Sequence, residues 1–397
     1  MFDKRLNFQT ISGISRRNVL SAGAMALLAG CAIVPKAPPP SGPAPQTAPP
    51  QSVIPTDTEH HRVALLVPVT GKNAAVGQSI ANAANMALLD TGAKNLRVTT
   101  YDTAANPADA TRRALADGNR LILGPLLADN IPAVAAVARP AKVPLISFSN
   151  DEAAAGKDVF VMGNLPGQSI SRTVKYARAQ GISSFAALIP RGEYGDRASD
   201  ALLSSVRANG GAVVAMEPYD RTAASITAAA TRIKARTGYG ALLIADSGSL
   251  SARAATTFRA GDDSDSNAKV RLLGTELWGG ERQLSSTPAL AGAWYSTVSD
   301  QRFGQFSKSY RSRFGTAPFR IATLGYDAVL LTLRVSRGWN VGQRFPTAEM
   351  MESGGFLGLD GPFRFTRGGV VERALEVREV QPGTVKVISP APAKFVN

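Results

Sequence analysis

Histidine and cysteine, two of the side chains most used to attack, ligate or move protons, are scarce in this sequence. Its 397 residues include two histidines and one cysteine. His60 and His61 sit side by side at one junction, and no His/Cys/Asp cluster with metal-ligand spacing accompanies them. No G-x-x-x-x-G-K-[ST] phosphate loop and no G-x-S-x-G elbow occurs. This inventory points away from an enzyme and calls for no metal and no cofactor. The chemistry left to explain is that of Cys31, and of the polar groups a folded scaffold would bring together.

Cys31 ends a patterned leader. Residues 1–20, "MFDKRLNFQTISGISRRNVL", are basic, and Val19 to Gly30 is an uncharged apolar stretch of 12 residues. A bilayer-spanning helix needs about 20 such residues, so the stretch fits the core of a signal peptide over residues 1–30. Ser15-Arg16-Arg17-Asn18-Val19-Leu20 resembles a twin-arginine export signal, departing from it at Val19 and Ser21, so that route and general secretion both stay open. Leu28-Ala29-Gly30-Cys31 resembles a bacterial lipobox. Small residues fit the peptidase cleft, and the thiolate accepts a diacylglyceryl group before the chain is cut in front of it. Several acyl chains on one residue supply the membrane affinity that one chain lacks. Ala32 after the cysteine resembles outer-membrane sorting.

From Pro35 to Pro55 there are nine prolines among Ser, Gln, Thr and Ala. Residues 31–60 therefore read as a lipidated cysteine and a disordered, proline-rich tether. At ~3.1 Å per residue, Ala32 to Glu59 reaches roughly 85 Å when fully extended. Over the whole chain, 44% hydrophobic and 19% charged residues suit a globular protein with a real core. The formal charge of +14 favours anionic partners. There is no run of four or more basic residues, so the pattern is that of a solvated basic surface and not of a nucleic-acid arm.

The elements that must position any site begin near His61. "RVALLVPV" (62–69), "LRVTTYDT" (96–103), "RLILGPL" (120–126) and "VPLISFSN" (143–150) read as buried parallel strands. Val76, Ile80, Ala83 and Ala87 fall on one helical face between them, and "PADATRRALADG" opens a second helix on a proline. The pattern restarts with "SSFAALIP" (183–190), "AVVAMEPYD" (212–220), "GALLIAD" (240–246) and "VRLLGTELW" (270–278). A long helix over 320–338 carries Ile321, Leu324, Ala328, Leu331 and Val335 on one stripe. Gly368-Gly369 punctuates two alternating runs in 361–380, which suggests a β-hairpin, and the tail from Gln381 is expected to be loosely held. The class is α/β, with two doubly wound lobes.

The order of these segments resembles the type I periplasmic binding proteins, the leucine/isoleucine/valine-binding class. The resemblance runs through "VALLVPVTGKNAAVGQSIANAANMAL", "YDTAANPADATRRA", "LILGPL", "VPLISFSN", "YGDRASDAL", "LLGTE", "TLGYDAV" and "GPFRFTRGG", over about residues 62 to 380. It implies a bilobal head over 61–390. Lobe one would comprise about 61–165 plus 296–338, and lobe two about 166–295 plus 339–380, with hinges near 165, 295 and 340. "LLGTELW" and "DGPFRFTRGGVVERALEVREV", with the lipobox and linker, look most like the penicillin-binding protein activator lipoproteins. That subset implies contact with a bifunctional peptidoglycan synthase or another cell-wall protein, from a membrane anchor in the periplasm, on the outer membrane by preference. The wider class implies instead a substrate-binding protein that delivers a branched-chain or other amino acid to an ABC permease.

In open α/β sheets, ligands sit beyond the carboxyl ends of the strands. The candidates there are Asp129, Asn130, Ser147, Ser149 and Asn150 on the first lobe, and Tyr194, Glu276 and Trp278 on the second. Backbone N–H groups near Asp129-Asn130 and Ser147-Ser149 suit a carboxylate. By resemblance, Glu276 would receive a ligand amino group, and Tyr194 and Tyr326 would wall the cleft. Plainer roles stand beside these. The serines suit caps of a strand end, Glu276 suits a partner for Arg271 or Arg282, Tyr326 suits a core, and Trp278 is large enough to fill the cleft. Asp129 stands where amino-acid binders often carry Ser or Thr, and it would repel a ligand carboxylate.

Overall fold

The computed structural model describes residues 59–261 and 269–395. The leader, Cys31 and nearly all of the tether lie outside them.

The first sheet forms around β1 (His61–Val67), which is buried along almost its whole length. Its run of apolar residues suits a strand covered on both faces. It pairs in parallel with β2 (Leu96–Asp102) and β3 (Leu121–Leu123), followed by β4 (Leu145–Ser147) and β5 (Val159–Val161), in the order β2-β1-β3-β4-β5. β2 is the edge, so only Leu96 and Tyr101 are buried there, where the sequence predicts a buried strand. The crossover helices are α1 (Ala74–Thr91), α2 (Pro107–Ala116) and α3 (Ile131–Ala138). Asn106 caps α2 by accepting from Asp109 N–H at 3.1 Å, with Pro107 at the first helical position. α1 passes so close to the end of β1 that a Cβ on Gly77 would stand 1.8 Å from the Pro68 carbonyl oxygen.

The second sheet follows α4 (Pro166–Ala179). It is built from β6 (Ser184–Pro190), α5 (Glu193–Ala208), β7 (Ala212–Tyr219), α6 (Ala223–Lys234), β8 (Ala241–Ile244), α7 (Gly248–Arg259), β9 (Arg271–Leu273) and β10 (Trp294–Thr297). The chain then returns to the first lobe through α8 (Phe303–Phe314) and α9 (Thr323–Val335). Leu324, Ala328, Leu331 and Val335 of α9 bury in the same core as β1 and α1, as the helical stripe predicts. A small antiparallel sheet of β11 (Phe356–Gly358), β12 (Gly361–Phe365) and β13 (Val371–Arg373) comes next. Last, β14 (Glu376–Gln381) and β15 (Thr384–Ser389) join the second sheet, ordered β15-β14-β10-β9-β8-β6-β7.

Two expectations change here. The stretch 339–371 belongs with the first lobe and not the second. Trp339, Phe345, Met350, Phe363, Phe365 and Val371 pack in the core of β1 and α9, and the Phe363–Phe365 pair meets Phe160. The expected hairpin exists between β12 and β13, closed by Thr366 and Val370, but the run then leaves for the other sheet. Residues after Gln381 are not loosely held, because β15 pairs along β14.

The chain thus passes between the lobes near 161–166, 297–303 and 373–376. Polar contacts tie these passages together. Ser169 Oγ donates to Ser296 O at 2.6 Å, and Arg373 Nη2 donates to Met162 O at 2.6 Å. Arg378 pairs with Asp300 at 2.5 Å, and Arg320 pairs with Asp360 at 2.6 Å and Asp300 at 3.3 Å.

Candidate functional site

The segments that follow the carboxyl ends of β4 and β6 meet through Asp151 and Arg197, which places the candidate cleft between them. On the first lobe, the loop after β1 folds onto Asp102 at the end of β2. Asp102 accepts from Val69 N–H at 2.9 Å and from Thr70 Oγ at 2.5 Å. Burial pushes its pKa up, but the hydrogen bonds from Thr70, Ala104 and Val69 prevail and hold it below the usual carboxylate range. Asp129 and Asn130 lie in a single 3-10 turn, Ala128–Asn130, that leads into α3, with Asp129 exposed.

Ser147 and Ser149 are buried, and their hydroxyls already have partners. Ser147 Oγ donates to Pro125 O at 2.9 Å and accepts from Ser149 N–H at 3.1 Å. Ser149 Oγ accepts from Asp151 N–H at 3.0 Å. Their hydroxyls therefore close the turn that presents half-buried Asn150 and Asp151. Asp151 reaches the second lobe directly: its Oδ2 lies 3.2 Å from Arg197 Nη2 on the second turn of α5, which also pairs with Glu193 at 3.0 Å.

On the second lobe, Tyr194 begins α5 and turns its hydroxyl inward. It lies 2.8 Å from Thr275 Oγ and 3.1 Å from Glu276 Oε1. Burial raises its pKa, and the Glu276 charge raises it further. Glu276 is half-buried as a residue, but its carboxylate oxygen Oε2 is shut off from solvent and has no hydrogen-bond partner among the described residues. Burial pushes the Glu276 pKa up to about 7. The cavity beside it holds about 10 Å³ and is bounded also by Asn164, Gln168, Thr297 and Arg373. That is room for roughly one water molecule. Arg271 does not pair with Glu276; it donates to Gly292 O at 2.5 Å and covers the Trp294 ring at 4.2 Å.

Two aromatic candidates lie elsewhere. Trp278 is fully buried in the core of the second lobe, where its indole N–H is 3.1 Å from Asp246 O and 3.0 Å from Ser251 Oγ. It neither fills nor lines the cleft. Glu276 and Trp278 share one 3-10 turn, which rotates residues two apart about 120° from one another. Tyr326 lies on α9 against the far end of α1, with its hydroxyl 3.1 Å from Asp90 Oδ2 and its ring edge-on to Phe306 at 5.7 Å. It is no cleft wall.

Sequence reasoning passed over Arg221, Arg197, Asp151 and Asn164. Arg221 follows β7 and grips Asp246 with two hydrogen bonds, of 3.1 and 3.0 Å. Tyr219 donates to the same carboxylate at 2.7 Å, and the Arg221 guanidinium stands 5.5 Å from the Tyr194 ring centroid. The "YDR" at the end of a strand was the available signal, since strand ends on this side face the cleft.

A family model described as periplasmic binding protein matches residues 61–384. The uncharacterized protein RP748 of Rickettsia prowazekii (strain Madrid E) is 29% identical over 142 residues, which cover 35% of this chain and 38% of that protein. This chain therefore aligns with well under half the length of that curated relative. Three solved structures resemble most of the chain. A branched-chain amino acid ABC transporter periplasmic ligand-binding protein from Burkholderia xenovorans LB400 is 16% identical, with 85% of this chain and 95% of that one covered and a TM-score of 0.66. A solute-binding protein of an ABC transporter from Rhodopseudomonas palustris BisB5, in complex with 3,4-dihydroxybenzoic acid, is 22% identical, covering 85% and 97%, at 0.63. The C-domain of LpoA (YraM) from Haemophilus influenzae, a regulator of PBP1A, is 17% identical, covering 82% and 99%, at 0.64. At these identities the likeness is one of fold.

Proposed function

This chain belongs to the periplasmic binding protein family, and within it we propose a lipid-anchored periplasmic head that regulates peptidoglycan synthesis by protein contact and has no catalytic role. The observation that carries this reading is the state of the Glu276 subsite. The Tyr194 hydroxyl, itself bonded to Thr275, already donates to Glu276 Oε1, and the cavity beside Glu276 is about 10 Å³. Small-molecule sites are typically ~300–1,000 Å³. Asp151 and Arg197 already join the lobes across the cleft mouth. A lobe pair that closes on its own side chains suits a scaffold that presents its outer surface. The fold it shares with a PBP1A regulator agrees with this role. Cys31 would hold the head to a membrane, the outer membrane by preference, and the three passages between lobes would act as hinges only in a form that opens.

A second reading, delivery of a carboxylate-bearing solute to an ABC permease, is favoured by Arg221. Its guanidinium is about half-exposed (46% side-chain exposure) and faces the Tyr194 ring. The two readings separate in one pair of experiments on the full chain. Crosslinking in membranes followed by co-purification is expected to recover a bifunctional cell-wall synthase. Calorimetry with leucine, isoleucine, valine and 3,4-dihydroxybenzoate is expected to give no heat. Recovery of a permease, or binding heat with any of these solutes, reverses the order.

A further inference from the structure

An open groove of about 1060 Å³ lies beside the cleft, lined by α4, α5, the turn at Asp151–Ala153, the end of β13 and the last described residues. Its unpaired carboxylates and the basic groups of α4 are separated along that helix. Glu152 lies near the start of α4, since a Cβ on Gly167 would stand 3.9 Å from Glu152 Oε1 and 3.8 Å from the Ala201 Cβ. Asp200 precedes Ala201 on α5. Among the described residues, neither Glu152 nor Asp200 has a cation within ion-pair distance.

Farther along α4, Arg172 and Lys175 stand at i and i+3 on the groove side. Arg172 donates to Leu375 O at 3.2 Å and Ser389 Oγ at 2.6 Å, both neutral acceptors. Burial lowers its pKa, as befits a guanidinium withdrawn from water without a carboxylate beside it. Lys175 and Lys394, also on the groove, have no carboxylate within ion-pair distance among the described residues. The remaining pairs are internal: Arg197 with Asp151 and Glu193, and Arg364 with Glu372 at 2.7 Å. The chain itself shows what the groove accommodates. Residues 392–395 lie on it as irregular backbone, with the Arg364 guanidinium 4.6 Å from the Phe395 ring centroid.

We propose that this groove docks an extended, carboxylate-bearing segment of a partner protein, whose acidic side chains meet Arg172 and Lys175 while a basic one meets Glu152 and Asp200. It rests on the protein-contact reading above. The spacing sets the segment's pattern. Gly167 and Lys175 are separated by ~12 Å at 1.5 Å per helical residue, which an extended strand covers in about four residues.

Fluorescence anisotropy with the full chain tests this. The probe is a fluorescein-labelled peptide with one lysine and, about four residues on, two glutamates; its counterpart carries lysines in place of the glutamates. The first is expected to bind at least about tenfold more tightly than the second. R172Q/K175Q is expected to weaken the first by about tenfold. K175Q, which keeps the Arg172 hydrogen bonds, is expected to weaken it as well, with thermal unfolding confirming that both variants fold. Equal binding of the two peptides, or both variants binding like the parent, overturns the proposal. In the membrane crosslinking, equal recovery of a synthase by parent and R172Q/K175Q would sink the groove and leave the protein-contact reading standing. Peptide binding together with recovery of a permease alone would sink that reading and leave the groove.

Discussion

Glu276 decides more about this head than any other side chain in the cleft. Its pKa lies near 7 because burial disfavours the charged carboxylate. The folded state therefore keeps a proton that the unfolded chain releases near pH 4.5. The contribution to stability is complete below that pH and is lost as pH rises through about 7, with an upper size of roughly 3 kcal/mol. E276Q, neutral throughout, should flatten this part of the profile; urea midpoints for parent and variant at several pH values between these limits measure the difference. An unchanged slope would mean that the carboxylate is solvated. Trp278 and Tyr326 make a second test at this scale. Trp278→Ala removes a core side chain and should cost about 3–5 kcal/mol, whereas Tyr326→Phe removes one hydrogen bond on the outer face and should cost about 1 kcal/mol. Chemical denaturation of the two variants checks the contrast, and a small loss at Trp278 would return it to the cleft. The sequence pairs Glu276 and Trp278 as neighbours at a strand end. Only the tight turn that contains both reveals that one faces the cleft and the other the core.

At the scale of elements, buried strands and helical stripes were legible because each carries its own period. The β1 run, the α9 stripe and the glycine-marked hairpin at Thr366–Val370 all follow from local pattern. The course of 339–371 was not legible. Phe345, Phe363 and Phe365 are apolar enough for either core, and which core receives them depends on partners distant in sequence, such as Phe160. The serines after β4 show the same limit. A buried hydroxyl must find a partner, but the sequence does not say whether the partner is a ligand or the next turn. Those turns place Asp151 against α5. The Asp151–Arg197 pair is about one-fifth exposed on each side chain, so R197Q should change stability by under ~1 kcal/mol. Its effect should appear in geometry instead: small-angle scattering of the variant is expected to show a larger radius of gyration, from lobes freed to part. An identical scattering curve would remove the pair as a latch.

At the scale of the whole molecule, a basic, apolar-cored stretch, Cys31 as the proposed lipid acceptor and a proline-rich stretch precede the head in sequence. Intact-mass analysis should find an acylated Cys31 at the mature N-terminus, and Cys31→Ser should move the protein from membranes to the soluble periplasmic fraction; unaltered partitioning would end the anchoring assignment. The head has a different dependence on its other end. β10 is bordered on one side by β9 and on the other by β14, with Trp294 opposite Glu379 and Thr297 opposite Glu376. Until the last strands arrive, the Trp294–Thr297 edge has open N–H and C=O groups and a buried-type apolar face. Completion of the second sheet therefore waits for the strands over Glu376–Ser389, far in sequence from its first strand at Ser184. A chain stopped or clipped before Glu376 would not be a shorter version of the same head. It would be an adhesive strand edge, suited to quality control and removal more than to service.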